Sequence, residues 1–322
     1  MLRRSVFALA AAGLAAPSVL RAQPAWPDGP VRIVVPFPPG GGTDIIARAF
    51  QPKLSEALGV PVAIENRGGA SGSVGAMEVA RAAADGRTWL MVYDTEATNQ
   101  TTMRLPYRLM QAFVPVSLIA TGPLVLVAAK NAPWGTLKDL VAAAKQSPDA
   151  IGYGTAGIGT LAHVSTTLLQ QLGGFKLNHV PFRGGGPALQ AALSGEVPLA
   201  SLPAVTAGPQ IRAGALRPLG VTTLGETRHV PGVKSFAQQG FAEFEAPTWW
   251  AMLGRAGTPA PVVQRMHEAL AAVLTNPELR AKIEEQGADV VASGPERARR
   301  FLNAEVQRWG QVIRDNNITL ES

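Results

Sequence analysis

Short apolar runs alternate with stretches whose apolar residues recur every three or four positions. Residues 31–35 are apolar apart from Arg32 and are stopped by Pro36, as expected for a strand buried on both faces. Ile45, Ile46, Ala49, Phe50, Leu54 and Leu58 then follow at helical spacing, with Pro52 expected to bend that helix. A strand-like run at 60–64, a helical face through Val74, Met77 and Ala80, and a strand-like run at 89–93 complete the first unit. After the apolar stretch 116–129 the pattern restarts. Thr136-Leu137-Lys138-Asp139 has capping-box spacing, 151–153 reads as a strand, and Leu161, Val164, Leu168 and Leu172 share one helix face. Segments 219–223 and 249–253 read as further strands. Segments 261–275 and 295–316 read as long helices, and Ser293-Gly294-Pro295-Glu296 again has capping-box spacing. The alternation predicts an α/β fold of two units, each a mainly parallel sheet flanked by helices. No linker rich in Pro, Gly or Ser separates the units. The chain is therefore expected to cross between them more than once, with its C-terminal helices returning to the first.

Four of the strand-to-helix passages run through glycine-rich turns: Pro39-Gly40-Gly41-Gly42-Thr43-Asp44, Gly68-Gly69-Ala70-Ser71-Gly72, Gly157-Ile158-Gly159-Thr160 and Gly184-Gly185-Gly186-Pro187. Glycine lets backbone approach a ligand closely. A helix N-terminus offers unpaired N–H groups carrying about half a positive charge, so each turn can cradle an anion. Two turns lie in each half, which points to a cleft closing on something small and negative. Thr43 and Asp44 can cap the first helix, and the N–H groups of Gly41, Gly42 and Thr43 with the Thr43 hydroxyl can also hold a carboxylate; Asp44 is read as structural. Ala70 and Ser71 offer backbone and hydroxyl donors. Arg183 is open to two readings, a clamp on the ligand or a partner in an interdomain ion pair.

Composition narrows the class. With 322 residues, 47% hydrophobic and 16% charged, the chain can bury a substantial core in two domains. Met1-Leu2-Arg3-Arg4 and the alanine-rich run after it have the basic head and short apolar middle of a signal peptide, with cleavage expected after Ala22. The paired arginines fit a twin-arginine signal or an ordinary secretory one. A periplasmic, monomeric protein is expected. The formal charge of +6 falls to +3 once Arg3, Arg4 and Arg21 leave, and no concentrated basic stripe points to nucleic acid. Zero cysteines exclude disulfides and thiolate chemistry. Residues 97–138 and 150–195 contain no acidic side chain, a field that favours anions. Gly152-Tyr153-Gly154-Thr155-Ala156-Gly157 matches a dinucleotide fingerprint, but no acid follows before Glu196 to hold a ribose, so no cofactor is expected. Nucleophile-elbow, zinc-binding and P-loop motifs are missing, and His163, His179, His229 and His267 are dispersed, so neither catalysis nor a metal site is expected.

At these turns the chain resembles the extracytoplasmic solute receptors of the tripartite tricarboxylate transporter family, the Bug receptors. The resemblance is carried by Ile33-Val34-Val35-Pro36-Phe37 with Pro39-Gly40-Gly41 and Asp44, Glu65-Asn66-Arg67 with Gly69-Ala70 and Gly72, Asp85-Gly86-Arg87-Thr88, Val180-Pro181-Phe182-Arg183-Gly184, and Trp250 with Gly257-Thr258-Pro259. It implies a two-lobed Venus-flytrap fold: signal 1–22, lobe 1 from 23–124 plus 246–322, and lobe 2 from 125–245. It further implies a small-molecule carboxylate held in the cleft and delivered to membrane permease subunits. Gly41, Gly42, Thr43, Ala70 and Ser71 would bind it from lobe 1, and Gly159, Thr160 and Arg183 from lobe 2. A receptor that signals to a membrane sensor, or an enzyme using His163 or His179 as base, are the alternatives. Two departures bear on the ligand. Gly195-Glu196-Val197-Pro198-Leu199-Ala200-Ser201-Leu202 stands where relatives often carry aspartates, and Tyr107-Arg108 replaces Tyr-Asp. The first removes carboxylates that could pair with an amine, which favours a plain mono-, di- or tricarboxylate over an amino acid.

Overall fold

The computed structural model describes residues 26–318; the expected signal segment and its cleavage point lie outside the described residues. The chain begins with β1 (Val31–Val35), α1 (Gly42–Leu58), β2 (Val62–Asn66), a 3-10 turn (Ala70–Gly72) leading into α2 (Ser73–Arg81), β3 (Thr88–Tyr93), α3 (Thr95–Thr102), α4 (Leu109–Ala112) and β4 (Phe113–Gly122). It continues through β5 (Leu124–Ala129), α5 (Leu137–Gln146), β6 (Gly152–Thr155), α6 (Leu161–Gly173), β7 (Asn178–Pro181), α7 (Gly185–Ser194), β8 (Leu199–Pro203), α8 (Ala204–Arg212) and β9 (Leu216–Val221). The last elements are β10 (Thr248–Arg255), α9 (Ala260–Leu274), α10 (Pro277–Gln286), β11 (Asp289–Val290) and α11 (Pro295–Asp315).

The strands form two sheets, ordered β11-β4-β10-β3-β1-β2 and β7-β6-β8-β5-β9. Successive residues of a strand face opposite sides, so each sheet is covered on both. In β1, Ile33 packs under Phe50 and Leu54 of α1, while Val34 packs on the other side with Leu90, Trp249 and Leu302. The second sheet repeats the plan: Leu126 and Tyr153 share one core with Leu161, and Val127 and Leu202 another with Ala188. The sheets are mixed rather than mainly parallel as expected. β1 pairs in parallel with β2 and β3, and β6 with β7 and β8; β10 is antiparallel to β3 and β4, and β5 to β8 and β9. Parallel neighbours each need a crossover helix. Strands β5 and β10, which bring the chain in from the opposite sheet without such a helix, are free to run the other way.

The chain passes from the first sheet to the second at Pro123 and returns between β9 and β10. Thr222 ties the two passages together: its Oγ1 accepts from the Leu124 N–H at 3.0 Å and its carbonyl from the Ala246 N–H at 2.9 Å. α11 makes a third link. Its Ala298 and Leu302 lie in the first lobe's core, but Trp309 and Ile313, with Ile318 just beyond, lie in the second's, so the C-terminal segment does not stay with the first lobe as expected. Midway, one oxygen of buried Glu305 accepts from the indole N–H of Trp249 at 2.8 Å and of Trp309 at 3.1 Å. Burial pushes this carboxyl up, and the two indole donors oppose it.

The capping box at Thr136 is formed in both directions. That at Ser293 is not. Gly294 is the N-cap of α11 without any side-chain bond, because the Ser293 hydroxyl instead accepts from the Leu118 N–H of β4 at 3.1 Å. Replacing Glu305 by Leu leaves two buried indole donors unpaired and is expected to cost about 2–5 kcal/mol in urea unfolding. Glu305→Gln keeps an acceptor oxygen and is expected to cost less than about 1.5 kcal/mol.

Candidate functional site

Pro36 ends β1, and the chain turns through Gly40, at φ +82°, into α1 with Gly41 as N-cap. No side chain caps this helix, so Thr43 and Asp44 do not act as expected there. Asp44 instead braces the turn. Its carboxylate accepts from the Gly40 N–H at 3.0 Å, Arg48 Nε at 2.9 Å and Asn66 Nδ2 at 3.0 Å. Burial works to raise this carboxyl, but the Arg48, Gly40 and Asn66 donors hold it below the usual range. The Thr43 hydroxyl accepts from Trp250 Nε1 at 3.3 Å, which leaves its own proton to donate elsewhere. The N–H groups of Gly41, Gly42 and Thr43 find no acceptor among the described residues.

Two helix starts of the second lobe meet this one head-on. A Cβ added to Gly41 would lie 3.8 Å from the Gly185 N and 4.0 Å from the Gly186 N, in the first turn of α7. One added to Gly42 would lie 2.9 Å from Val205 Cγ1 and 3.3 Å from Thr206 Oγ1, in the first turn of α8. Gly42 is therefore required by close approach, whereas a side chain at Gly41 would meet the α7 backbone at ordinary contact distance. The N–H groups of Gly185 and Gly186 likewise lack acceptors among the described residues, and the buried Thr206 hydroxyl has no partner. A small, partly enclosed space of about 20 Å³ lies here, lined by Gly41, Gly42, Thr43, Gly185, Tyr93 and Ala156 among others. Each helix end carries about half a positive charge, and three of them point inward. Gly185, Thr206 and Trp250 are the contributors that sequence reasoning did not single out. The Gly184-Gly185-Gly186 turn was visible, whereas Thr206 follows no glycine and is identified only by its unpaired hydroxyl.

The other two turns meet each other. Ser71, at φ +52°, donates its hydroxyl to the Ile158 carbonyl at 2.5 Å, and Thr98 donates to the Gly159 carbonyl at 2.5 Å. Asn99 steadies this contact by donating to the Ser71 carbonyl at 3.0 Å. Gly159 and Thr160, expected as ligand donors, are occupied by the protein. The Gly159 N–H goes to His163 Nδ1 at 3.2 Å, and the Thr160 hydroxyl donates to the Gly157 carbonyl at 2.8 Å while accepting from the His163 N–H at 3.3 Å as cap of α6. The next donor, the Leu161 N–H, goes to Asp94. Asp94 also accepts from Thr248 at 2.5 Å and Thr95 at 3.3 Å, yet burial pushes its carboxyl up to about 8. Burial likewise pushes Glu96 up to about 8 although it accepts from Tyr107 at 2.9 Å and Gln100 at 3.3 Å.

His163 and His179 stack with ring centroids 3.8 Å apart and planes 8° from parallel. Burial lowers them to about 4 and about 3, and the two rings' mutual repulsion adds to the fall for His179. His179 Nε2 lies 2.7 Å from Thr155 Oγ1, and neither ring lines the small space or the larger cavity beside it.

Outside the enclosed space, and sharing Phe37 and Ala156 with it, opens a cavity of about 970 Å³. Ala70, Ser71 and Arg183 line it. Arg183 is exposed and makes no hydrogen bond or ion pair among the described residues, which leaves its interdomain-pair reading without a partner. Of the eight expected site residues, Gly41, Gly42 and Thr43 thus stand at the enclosed space, three on the outer cavity, and Gly159 and Thr160 on neither. Among the described residues no group of three His, Cys, Asp or Glu could hold a metal ion, and no helix is long and apolar enough to cross a membrane.

The sequence model of a family described as "Tripartite tricarboxylate transporter family receptor" matches residues 46–318. Protein BugT of Bordetella pertussis is 34% identical over 318 residues, 97% of this chain and 96% of that one. A Rhodopseudomonas palustris protein, MatC, solved with bound malate, is 31% identical with a TM-score of 0.84, covering 89% of this chain and all of that one. An R. palustris protein solved with adipate is 33% identical with a TM-score of 0.87, covering 91% and 98%.

Asp94 and Glu96 ionise near 3.8 and 4.5 when free of the fold and near 8 within it, so the folded chain holds extra protons between those limits and loses stability as pH rises to 8. His163 and His179 act oppositely below 6.5, where the unfolded chain binds the extra protons. The melting temperature is expected to rise as pH is lowered from 8 to 6.5 and then to level off. Asp94→Asn should flatten the upper limb of that profile in a thermal scan.

Proposed function

Since the chain belongs to the tripartite tricarboxylate transporter receptor family, we propose that it captures a small organic carboxylate between its lobes in the periplasm and presents it to the family's membrane permease. The observation that carries this reading is the meeting of the α1, α7 and α8 N-termini around unpaired N–H groups and the Thr43 and Thr206 hydroxyls. A carboxylate there gains about 1.5–3 kcal/mol from each charge-assisted hydrogen bond and about 0.3–2 kcal/mol from the helix ends. Three or four such bonds, net of ordering costs, suffice for micromolar affinity, about −8 kcal/mol. The malate and adipate bound by the R. palustris relatives support the ligand class.

In this reading the lobes pivot where the chain crosses at Pro123 and between Thr222 and Ala246. Ser71, Thr98 and Asp94 then form a latch whose bonds exist only when the lobes meet. A ligand shifts an opening equilibrium only by its differential affinity for the two states. Donors on both lobes provide that difference. The basic-headed segment at residues 1–22 would direct export.

Calorimetry against a panel of mono-, di- and tricarboxylates tests the site. Thr43→Val and Thr206→Val are each expected to weaken the best ligand by about tenfold, the loss of one hydrogen bond. Unchanged affinity in both would remove the assignment. For the latch, Ser71→Ala and Thr98→Val are expected to weaken binding by about threefold to tenfold through the closed state alone. Small-angle scattering should then show a larger open fraction at subsaturating ligand.

A further inference from the structure

Asp94 stands between β3 and α3 in the first lobe and is only 1% exposed. Three neutral groups meet its carboxyl. Thr248 Oγ1 lies 2.5 Å from Oδ2 and Thr95 Oγ1 3.3 Å from Oδ1, both from the first lobe, while the Leu161 N–H reaches it from the start of α6 in the second. No cation is among them. From α11 the charged group that acts on it is Glu305, an acid already shared by two indoles, and Arg308 beyond lies 3.8 Å from Glu305. Tyr93 adjoins it in β3, Glu96 follows in α3, and His163 is the first titratable residue of α6; burial keeps all three neutral at pH 7. A carboxylate taken out of water without a positive partner gives up its charge. The α6 N-terminus offers part of a charge and one N–H, less than the hydration that burial removes. A protonated carboxyl suits the same geometry, because the Thr248 hydroxyl accepts a proton as readily as it donates one. Burial accordingly pushes this carboxyl up to about 8.

We propose that closure of the lobes makes Asp94 a proton-binding site, so that capture of a carboxylate takes up a proton and tightens as pH falls. The inference rests on the capture reading above and adds to it a second, coupled ligand, the proton. The cover over Asp94 belongs to the other lobe. Ser71 and Thr98 hold the Ile158 and Gly159 carbonyls, and the turn they hold leads directly into Leu161. When the lobes part, that cover leaves, water reaches the carboxyl, and it ionises in the ordinary range of about 4. At neutral pH the closed form therefore holds one proton more than the open form. A proton that binds only the closed form shifts the opening equilibrium by its differential affinity, as the carboxylate ligand does. Because the closed-state value is the raised one, this contribution is present at low pH and is lost as pH rises through about 8. Glu96 titrates in the same range, but its partners Tyr107 and Gln100 lie in its own lobe, so opening leaves its surroundings in place.

Calorimetry of the exported protein with malate and with adipate, run in buffers of small and of large ionisation enthalpy, counts the proton. Both acids are ionised at pH 7 and bring no proton of their own. About one proton per acid bound is expected at pH 7 and about half at pH 8, with affinity falling about tenfold from pH 6.5 to 8 and levelling off above. Asp94→Asn keeps an oxygen for the Leu161 N–H and has no proton to gain, so its binding should show no buffer dependence and a flat pH profile. Glu96→Gln should keep the parent's uptake. In the parent, an infrared difference spectrum should show a carboxylic-acid C=O band appearing on binding, absent from Asp94→Asn. Binding without proton uptake in the parent, uptake that survives in Asp94→Asn, or uptake lost in Glu96→Gln would overturn the proposal while leaving carboxylate capture intact. Failure of malate, adipate and the wider acid panel to bind would instead bring down the capture reading itself.

Discussion

Three helix N-termini aimed at one another form the constraint on which the rest of this molecule turns. Each carries about half a positive charge, and α1 and α7 present unpaired N–H groups, so bringing α1 against α7 and α8 is unfavourable unless something negative lies among them. The topology leads to this arrangement. In both sheets, the strands that pair in parallel send their chains toward helices from the same edge: β1 into α1, β6 into α6, β7 into α7 and β8 into α8. Ligands of open α/β sheets sit at that carboxyl edge. When two such sheets face each other, the two sets of helix starts meet across the cleft. The missing side chain of Gly42 then lets α1 approach α8, where a Cβ would collide with Val205.

The protein treats its helix starts in two ways. At α6 it supplies the acceptors itself: the buried Asp94 carboxyl of the first lobe accepts from the Leu161 N–H, and the Thr160 hydroxyl caps the turn. At α1 and α7 it supplies none; the Asp44 side chain turns back to Gly40, Arg48 and Asn66. The internal carboxyl stands on the latch and the free donors stand at the small space between the lobes. The division separates what holds the lobes together from what a ligand can add. It also explains why Ser71 and Thr98 spend their hydroxyls on backbone carbonyls across the cleft. Such bonds recognise the partner turn's shape and do not depend on what the cleft contains.

The legibility of the sequence follows from this physics. Glycine turns were readable because only glycine tolerates such close backbone approach, and so Gly41, Gly42 and the α7 start fall where the cleft is. The same Gly-x-Gly-Thr signal misleads at Gly159 and Thr160. A threonine after glycine can cap its own helix as well as bind an anion, and only the surrounding fold decides. Thr206 gave no signal because its role arises from an unpaired hydroxyl that the opposite lobe buries. Strand periodicity located β5 and β10 without their direction, since alternation is the same either way. The amphipathic pattern of α11 likewise showed one apolar stripe and could not show that two different cores share it.

The distribution of contacts indicates which side of the molecule can yield. On the cleft side the lobes are joined by Ser71 and Thr98 donating to backbone carbonyls and by Asp94 accepting from the Leu161 N–H, bonds that water can replace on separation, with Val205 of α8 as the apolar contact reaching the first core. On the far side they share packed apolar residues, with Leu302 and Trp309 of one helix embedded in different cores. Parting the second set would expose apolar area at about 25 cal/mol per Å², with nothing to replace the loss. A single Glu305 oxygen shared by Trp249 and Trp309 sits between those cores. A hydrogen bond tolerates some change of angle, whereas interlocked side chains resist it. The carboxylate is therefore suited to join two bodies that must stay attached while they turn, and the cleft opposite is where they come apart.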